Sequence, residues 1–371
     1  MVMNRQVNFA IIGCGRVAGH QSDLIDKISS AKVVAFCDLI EEKAASLARR
    51  SDTPYYTNYH EMFHKHPEID IVSIATPSGM HFEHMQDVIA RYRKHIIIEK
   101  PMVMTLAQGR TIKGLAEKYN VRIFPIFQNR FNKAVQRVKA AIVNNELGEI
   151  VLTAVRIWWY RPQKYYDRDP WRGTFSMDGG AMTNQGIHFI DLLCYLIGEA
   201  EKVSSIFVTK GVDIEVENTA TALLKFKNGA LGTIEITTAA YPKDFEASIS
   251  IVGNKGTAVI GGIATNKLLT FSPDPSQESI YSEEFPTIYG FGHLAIFKGV
   301  TEFLMNGDSK KLISFDDALK TVGLLHALYR SDEIGGWVTV DQDCSSKRLG
   351  VLDNKLAGLY RTPYPSGLHK L

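Results

Sequence analysis

Apolar and polar positions near the start of the chain predict a strand, a tight turn and a helix. The apolar run from Val7 to Ile12 is followed by Gly13, Gly15 and Ala18 in G-x-G-x-x-A spacing, and then by an amphipathic stretch. In this spacing Gly13 takes the turn conformation, Gly15 lets a pyrophosphate approach the backbone, and Ala18 permits close packing of the helix on the strand. The next apolar run, KVVAFCD, ends in Asp38, where a second strand of such a fold offers a carboxylate to the adenosine ribose. Together the two features predict a dinucleotide site.

The residues around Asp38 bear on the choice of cofactor. A 2′-phosphate ~4 Å from this carboxylate would be repelled by about 4 kcal/mol at an effective dielectric constant of about 20. Leu39 and Ile40 follow, with no adjacent arginine to offset the repulsion. The sequence therefore predicts NAD in preference to NADP, with Arg16 and Val17 completing the cofactor-binding turn.

Three further apolar runs, IDIVSIATPSGMH, HIIIEKPM and VRIFPIFQNR, alternate with helical patterns and predict a parallel sheet. Ligands of such sheets lie beyond the carboxyl ends of the strands. The cofactor-binding candidates at those ends are Thr76, Pro77, His81, Glu99, Lys100, Asn129 and Arg130.

Lys100 stands out among these candidates. Strand alternation sends Glu99 and Lys100 to opposite faces, so the two are not expected to pair. Beside a positively charged nicotinamide, like charge and desolvation would disfavour the ammonium form of Lys100, and the lysine could then accept or relay a proton. The alternative is a surface lysine that follows a strand.

The stretch HEMFH, His60 to His64, matches the H-E-x-x-H pattern of zinc peptidases. It lies between two predicted strands, on a crossover helix outside the sheet and away from the ligand edge. His66, just before Pro67, does not stand at the spacing of a third zinc ligand. We therefore expect a solvated helix face here and no metal.

Beyond a helical stretch, NKAVQRVKAAIVNNELG, the pattern changes to apolar runs joined by NG and GNKG turns. These predict an antiparallel sheet, whose open face would support subunit contacts. At 371 residues two domains are expected, and we divide the chain into 1–127, 128–345 and a tail, 346–371. For the tail, a disordered end is favoured over an arm across a neighbouring subunit.

The glycines Gly179 and Gly180 predict the start of a helix that ends at Gly198. Asn184, His188 and Asp191 would then lie near one face of it. That arrangement can present an amide and an imidazole to a substrate, although a buried structural histidine is the alternative.

Composition narrows the class of protein. Hydrophobic residues make up 45% and charged residues 22%, as in a soluble globular enzyme, and no apolar run is long enough to span a bilayer. The first residues do not resemble a signal peptide. A net charge of +2 gives no general attraction to nucleic acid or membrane. A cytoplasmic location is expected because no cysteine pair suggests a disulfide; the four are Cys14, Cys37, Cys194 and Cys344.

A cluster of cations and aromatic residues precedes the glycines. It contains Arg161, Lys164, Tyr165, Tyr166, Arg168, Trp171 and Arg172. Arginine forks suit carboxylate and phosphate groups, and aromatic faces suit a sugar or a base. Asp167 and Asp169 partly cancel the charge, so a solvated loop is the alternative.

The glycine turn, the EKP motif and GGAMTNQGIHFID together resemble the Gfo/Idh/MocA family of NAD(P)-dependent oxidoreductases, over about residues 7 to 340. The resemblance implies an α/β fold: a Rossmann domain followed by an α+β domain on an open-faced, mainly antiparallel sheet. It also implies Lys100 and His188 as catalytic residues. Many members of the family have Asp where this chain has Asn184, and a neutral amide cannot act as a base. Proton transfer is therefore expected from Lys100 or His188.

Two further stretches, WWYRPQKYYDRDPWRGT and YGFGH, look like the branch of the family that oxidises UDP-N-acetylglucosaminuronate at C3 for surface polysaccharides. This implies Trp171 and Arg172 as further cofactor-binding residues and a homo-oligomer, dimer or tetramer, formed through the sheet. UDP-N-acetylglucosamine, a free sugar or inositol are alternative substrates. An NAD-sensing binding protein would need neither Lys100 nor His188. The substrate-binding residues expected are Lys100, Arg161, Tyr165, Asn184, His188 and Tyr289.

Overall fold

The computed structural model describes residues 5–285, 289–308 and 312–366, and the strands in these ranges form two sheets. The first sheet is parallel, with strand order β3-β2-β1-β4-β5-β6. Its strands are β1 (Val7–Ile12), β2 (Ala31–Cys37), β3 (Tyr55–Tyr56), β4 (Ile71–Ile74), β5 (His95–Ile98) and β6 (Ile123–Pro125). This confirms the Rossmann prediction. The strand order reverses between β1 and β4, which places the ligand crevice at the carboxyl ends of these two strands.

Helices cover both faces of the parallel sheet, which is why its central strands are apolar almost throughout. They are α1 (Arg16–Ile25), α2 (Glu41–Ser51), α3 (Tyr59–Lys65), α4 (His81–Asp87) and α5 (Leu106–Tyr119). Short helical turns extend α4 at both ends, at Ser78–Met80 and Val88–Tyr92.

The second sheet has eight strands in the order β13-β12-β11-β7-β10-β9-β8-β14. These are β7 (Ile150–Trp158), β8 (Ala200–Val208), β9 (Thr219–Phe226), β10 (Leu231–Thr237), β11 (Glu246–Gly253), β12 (Thr257–Gly261), β13 (Lys267–Phe271) and β14 (Val338–Thr339). The sheet is mainly antiparallel, as expected, but its central pair β7 and β10 is parallel.

One face of this sheet is covered and the other is open. Along β9, Ala222 and Leu224 are buried, whereas Leu223 between them is 53% exposed. The covering helices include α9 (Ile187–Leu196) and α12 (Phe315–Ile334). The remaining helices in the described ranges are α6 (Lys133–Val143), α7 (Gln163–Tyr166), α8 (Ala181–Asn184), α10 (Gln277–Ile280), α11 (Gly292–Asn306) and α13 (Asn354–Gly358). None of the helices within the described residues is long and apolar enough to span a bilayer.

Helix α11 belongs by packing to the parallel sheet. The ring of Phe297 lies 5.9 Å from that of Phe9 on β1, and α11 also contacts α1. The stretch 128–345 therefore returns to the first sheet after building most of the second. Residues from α11 can consequently reach the cofactor edge.

The prediction of a disordered tail is wrong as far as the structure describes it. Leu349 is buried in the core, and the Gly350 N–H donates to the carbonyl oxygen of Phe175 at 2.8 Å. Further along, Arg361 donates to both carboxylate oxygens of Glu83 at 2.6 and 2.8 Å. The tail thus runs from the second domain to α4 of the first.

Candidate active site

The glycine turn after β1 leaves open space where a pyrophosphate would lie. Gly13 has a φ of +91°, and a β-carbon there would lie 2.7 Å from the backbone of Ala75 on the neighbouring strand. No atom lies within 4 Å of the β-carbon position of Gly15, which begins α1 without a side-chain cap. The first N–H groups of α1 are therefore available to an anion. Arg16 is exposed and Val17 partly exposed at this turn.

Asp38 is held at the adenosine side of the turn. One carboxylate oxygen accepts from the backbone N–H of Cys14 at 2.7 Å, and the other accepts from that of Ile40 at 2.8 Å. Leu39 and Ile40 beside it are 40% and 53% exposed. A fixed carboxylate next to exposed apolar side chains fits an adenosine with a free ribose diol, so these residues fit NAD.

His81 ties together the loops that follow β4 and β5. Its Nδ1 lies 2.7 Å from the carbonyl oxygen of Pro101, and its Nε2 lies 3.0 Å from that of Thr76. Thr76 also contacts His84, whose Nδ1 lies 2.9 Å from the threonine hydroxyl. Both ring nitrogens of His81 face backbone carbonyls, so the imidazole supports the loop that carries Thr76 and Pro77.

Glu99 lies in a buried polar network directly after β5. Its Oε1 accepts from Gln21 at 2.8 Å, and Nε2 of His293, on α11, lies 3.8 Å from the same oxygen. Burial alone would raise the pKa of Glu99, but the hydrogen bond and charge of His293 and the charge of Lys100 lower it. Glu99 is thus expected to remain ionised. Sequence reasoning did not anticipate the roles of Gln21 and His293.

Lys100 points into the space between the two domains. Its Nζ donates to the backbone carbonyl of Asn184 at 2.8 Å and to the side-chain oxygen of Asn184 at 3.2 Å. Burial lowers the pKa of Lys100, although the carboxylates of Glu99 and Asp178 oppose the shift. This environment contradicts the alternative of a surface lysine. A lysine with a lowered pKa is better suited to accept a proton near neutral pH.

Asp178 is a site residue that sequence reasoning missed. Its carboxyl group is 2% exposed; Oδ2 accepts from the Gly173 N–H at 2.8 Å, and Oδ1 accepts from the Asn184 amide. Burial raises the pKa of Asp178 to about 6. Its only sequence signal is its place directly before Gly179. Asn184 therefore lies between a carboxylate and Lys100.

The predicted helix from Gly179 to Gly198 is two helices, α8 and α9, separated at Gln185 and Gly186. A β-carbon on Gly186 would lie 2.5 Å from Ile236, so glycine permits close packing on β10. The hydroxyl of Tyr329 accepts from the Gly180 N–H at 2.9 Å and donates to Glu217 at 2.8 Å. These two side chains support α8 from beneath.

His188 lies one turn beyond Asn184, on the side of the site near Lys100. Its Nδ1 is buried without a hydrogen-bond partner among the described residues. Burial and the charge of Lys100 hold the pKa of His188 well below its usual value. A neutral imidazole with an uncommitted nitrogen can donate to or accept from a substrate hydroxyl.

Arg130 and Asp191 pair with each other, a contact that the sequence analysis did not predict. The Arg130 guanidinium donates to both oxygens of Asp191, at 2.7 and 2.8 Å, and also lies 3.4 Å from Asp317. Both members of the pair are almost fully buried. Asp191 therefore turns away from His188, and Arg130 acts as its counter-charge. Neighbouring Asn129 is buried in the same short turn after β6.

The cluster of cations and aromatic residues has features of both interpretations of the sequence, an anion site and a solvated loop. Arg161 pairs with Asp244 at 2.8 Å, and Arg172 pairs with Asp169 at 3.1 Å. The Arg172 guanidinium also lies 4.6 Å from the ring centre of Tyr165 and 4.4 Å from that of Trp171. The two arginines are thus held in place by acids and rings, whereas Lys164 and Arg168 are exposed.

Tyr289 lies beside the glycine turn. Its ring stacks on His20 of α1 with ring centres 4.8 Å apart, and meets His293 edge-on at 5.9 Å. Burial raises the pKa of Tyr289, and the positive charge of Arg16 opposes this rise.

The prediction of a solvated face for HEMFH is wrong at His60. This residue is 1% exposed; its Nδ1 lies 2.6 Å from the Tyr92 hydroxyl, and its ring packs on Tyr364 of the tail at 4.8 Å. His64 also faces Tyr364. Within residues 5–285, 289–308 and 312–366, no three His, Cys, Asp or Glu side chains form a cluster that could hold a metal.

A Rossmann turn with an acid at the end of the second strand, together with a buried lysine and histidine nearby, is typical of NAD-dependent dehydrogenases. The chain belongs to the Gfo/Idh/MocA oxidoreductase family. Residues 7–127 match the family's NAD-binding Rossmann fold, and residues 135–259 match the GFO/IDH/MocA C-terminal domain. The protein is accordingly an NAD-dependent sugar dehydrogenase, as the sequence predicts.

Individual relatives differ in their substrates. The WlbA dehydrogenase from Bordetella pertussis, solved in complex with NADH and UDP-GlcNAcA, is 32% identical, with 92% of this chain and 99% of that chain covered and a TM-score of 0.86. Glucose-6-phosphate 3-dehydrogenase of Bacillus subtilis is 26% identical over 66% of this chain and 71% of its own. Myo-inositol 2-dehydrogenase of Thermotoga maritima is 23% identical over 88% of this chain and 96% of its own.

Proposed function

We propose that the protein oxidises the C3 hydroxyl of UDP-N-acetylglucosaminuronic acid to a ketone, with NAD as the hydride acceptor. The observation that carries the proposal is the 32% identity, over nearly both whole chains, to a dehydrogenase crystallised with NADH and this nucleotide sugar. The identities to the inositol and glucose-6-phosphate enzymes are lower, at 23% and 26%. The choice of C3 rests on the resemblance of the Trp158–Thr174 stretch to enzymes that act there.

The proton of the sugar hydroxyl is taken up by Lys100 or His188. Loss of that proton and of a hydride from C3 converts the alcohol to a ketone, and NAD supplies the hydride-accepting ring when it is bound. Burial lowers the pKa of each side chain, which increases the share of the neutral form that can accept a proton. Asn184 cannot accept the proton, and its role in the proposal is to hold Lys100 through the contact at 3.2 Å.

The cofactor is held mainly by backbone. Its pyrophosphate would lie on the uncapped start of α1 at Gly15, and its adenosine ribose on Asp38. Arg172, half-buried between two rings, provides a cation near Lys100. The full proposed set is Gly13, Gly15, Arg16, Val17, Asp38, Thr76, Pro77, His81, Glu99, Lys100, Asn129, Trp171 and Arg172.

The anionic substrate is the reason to assign a role to Arg161. A carboxylate could replace Asp244 on its guanidinium, because an arginine fork binds either acid with the same geometry. Tyr165 supplies a face beside it, with the Arg161 guanidinium 5.7 Å from its ring centre. Tyr289 is proposed on the other side of the site. A free polyol would offer no carboxylate to exchange for Asp244.

The protein is further proposed to act in the cytoplasm as a dimer or tetramer. The open sheet face is the proposed subunit contact because it carries exposed apolar side chains, among them Ile206, Leu223 and Leu231. Within the described residues all four cysteines are free, which fits a reducing compartment. A role in surface polysaccharide synthesis follows from the proposed substrate.

The proposal is tested by comparing substrates at 340 nm, where NADH absorbs. UDP-N-acetylglucosaminuronate, UDP-N-acetylglucosamine, glucose 6-phosphate and myo-inositol are supplied separately with NAD. The highest kcat/KM is expected with UDP-N-acetylglucosaminuronate. A higher value with glucose 6-phosphate or inositol would overturn the substrate and leave the dehydrogenase class intact.

A further inference from the structure

Asp178 and Lys100 are connected through a single amide group. The Nδ2 of Asn184 donates to Oδ1 of Asp178, while Oδ1 of Asn184 accepts from Nζ of Lys100 at 3.2 Å. The second oxygen of Asp178 is occupied by the backbone N–H of Gly173 at 2.8 Å. All three side chains thus form one chain of hydrogen bonds that ends at the proton-transfer lysine.

The carboxylate determines which way the amide faces. An ionised carboxylate only accepts hydrogen bonds, so the NH₂ group of Asn184 has to point towards Asp178. The amide oxygen then points the other way, towards Lys100. Without the carboxylate the amide could rotate and present NH₂ to the lysine, and two donors would face each other. Because the pKa of Asp178 is raised only to about 6, the carboxylate is ionised at neutral pH.

We propose that Asp178 is a positioning residue for proton transfer, which fixes the Asn184 amide so that its oxygen holds Nζ of Lys100 at the substrate. This inference rests on the proposed function for the identity of the reaction. The hydrogen bonds among the three side chains do not depend on it. It also gives a role to an acid outside the family motif: the chain has a neutral amide at position 184, and the carboxylate stands six residues earlier, directly before Gly179.

Exchanging the two groups tests the inference. In Asp178→Asn, the new amide oxygen can still accept from Gly173, but its NH₂ group meets the NH₂ group of Asn184, which must turn. We expect kcat to fall by about 10- to 100-fold with little change in the KM for NAD. The double variant D178N/N184D restores a carboxylate beside Lys100, with the donor now on residue 178, and is expected to regain at least about tenfold in kcat.

A matched control removes a different carboxylate, one on the β8–β9 connection that accepts a hydrogen bond from the loop carrying Asp178. Glu215 accepts from the backbone N–H of Phe175 at 3.0 Å and has no contact with Asn184. Glu215→Gln is expected to keep wild-type kcat. If Asp178 served only to hold the loop at Gly173, D178N would keep the kcat of this control. The added N184D substitution would then not restore any kcat that D178N had lost.

A second readout needs no sugar. Acylation of Lys100 by acetic anhydride, followed by peptide mass spectrometry from pH 6 to 10, reports the pH at which the amine becomes neutral. The charged groups around the amine are Glu99, Asp178 and Arg172, with His188 neutral. Loss of the Asp178 charge removes a group that favours the ammonium, so the midpoint should fall in D178N and stay unchanged in E215Q.

The outcomes separate this inference from the proposed function. A lower acylation midpoint and a kcat rescued in the double variant support the role of Asp178. Wild-type kcat and midpoint in D178N, or a double variant no more active than D178N, would overturn it. If the wild-type enzyme oxidised no nucleotide sugar, the proposed substrate would be wrong. The kcat values of the variants and the wild type would then be measured with the sugar that is oxidised, and the test of Asp178 would remain the same.

Discussion

The Nζ atom of Lys100 lies 2.8 Å from the backbone carbonyl oxygen of Asn184. Lys100 follows β5 of the parallel sheet, whereas Asn184 ends α8 beside the mixed sheet. The contact therefore joins the Rossmann domain to the short helix that carries Asn184. The site exists only when both domains are folded and docked, and the first predictions concern this lysine.

Lys100→Met should lower kcat by about 100-fold or more, the range for loss of a general base, because the thioether cannot take a proton. NAD affinity measured by calorimetric titration should change by less than about threefold, because the proposed function assigns most of the cofactor contacts to the backbone and Asp38. Lys94→Met is the matched control at the other end of β5, where the lysine only contacts the carbonyl of Pro67. Equal losses in the two variants would contradict a chemical role for Lys100.

The rate should depend on pH through Lys100. The neutral amine is the active form, so kcat should rise with pH and level off as the pH passes the pKa of Lys100. Since burial lowers that pKa, the midpoint of the rise should lie below the ordinary lysine value of 10.5. A kcat profile from pH 6 to 11 measures the midpoint. A midpoint at the ordinary lysine value would contradict the desolvated site.

Local sequence patterns were sufficient to predict the glycine turn, the acid at the end of β2 and the lysine after β5. Gly13, Gly15 and Asp38 follow from spacing and strand ends, and the EKP motif follows from a strand and a proline. The structure confirms the Rossmann fold, and the relatives confirm NAD. These features are readable because each depends on residues close together in the chain.

The features that sequence reasoning missed depend on distant partners. Arg130 and Asp191 are 61 residues apart, and no periodicity indicates that they pair. His60 is buried by Tyr364, which comes from a tail that was expected to be disordered. Asp178 has only its place directly before Gly179 as a signal, because its contact with the Asn184 amide depends on how the chain folds between the two residues.

The cofactor preference gives the third prediction. Calorimetric titration should show NADH binding at least about 100-fold more tightly than NADPH, because Asp38 repels a 2′-phosphate. In D38S/L39R the acid is removed and a cation is added, so NADPH should bind more tightly than in the wild type and NADH less tightly. L39R alone keeps the carboxylate and should still favour NADH. Equal wild-type affinities for the two cofactors would contradict this account of Asp38.

The buried pair Arg130 and Asp191 gives a prediction about stability. Arg130→Met should lower the free energy of unfolding by about 3 to 5 kcal/mol, because it leaves the Asp191 carboxylate buried without its counter-charge. R130M/D191L should regain most of that loss. Lys113→Met, which breaks an exposed pair with Asp316, should cost less than about 1 kcal/mol. Urea denaturation measures the free energy of unfolding of all three variants. If the folded double variant R130M/D191L bound NAD less tightly than the wild type, Arg130 would have a role in cofactor binding.

The central claim is that this site moves a hydride from C3 of UDP-N-acetylglucosaminuronate to NAD. The most direct test is a single turnover, with enzyme in excess over the nucleotide sugar carrying deuterium at C3, and mass spectrometry of the NADH formed. Deuterium in the nicotinamide ring is expected with wild-type enzyme, and labelled NADH should form at least about 100-fold more slowly with Lys100→Met. Unlabelled NADH, or no NADH from this sugar while another sugar is oxidised, would contradict the central claim.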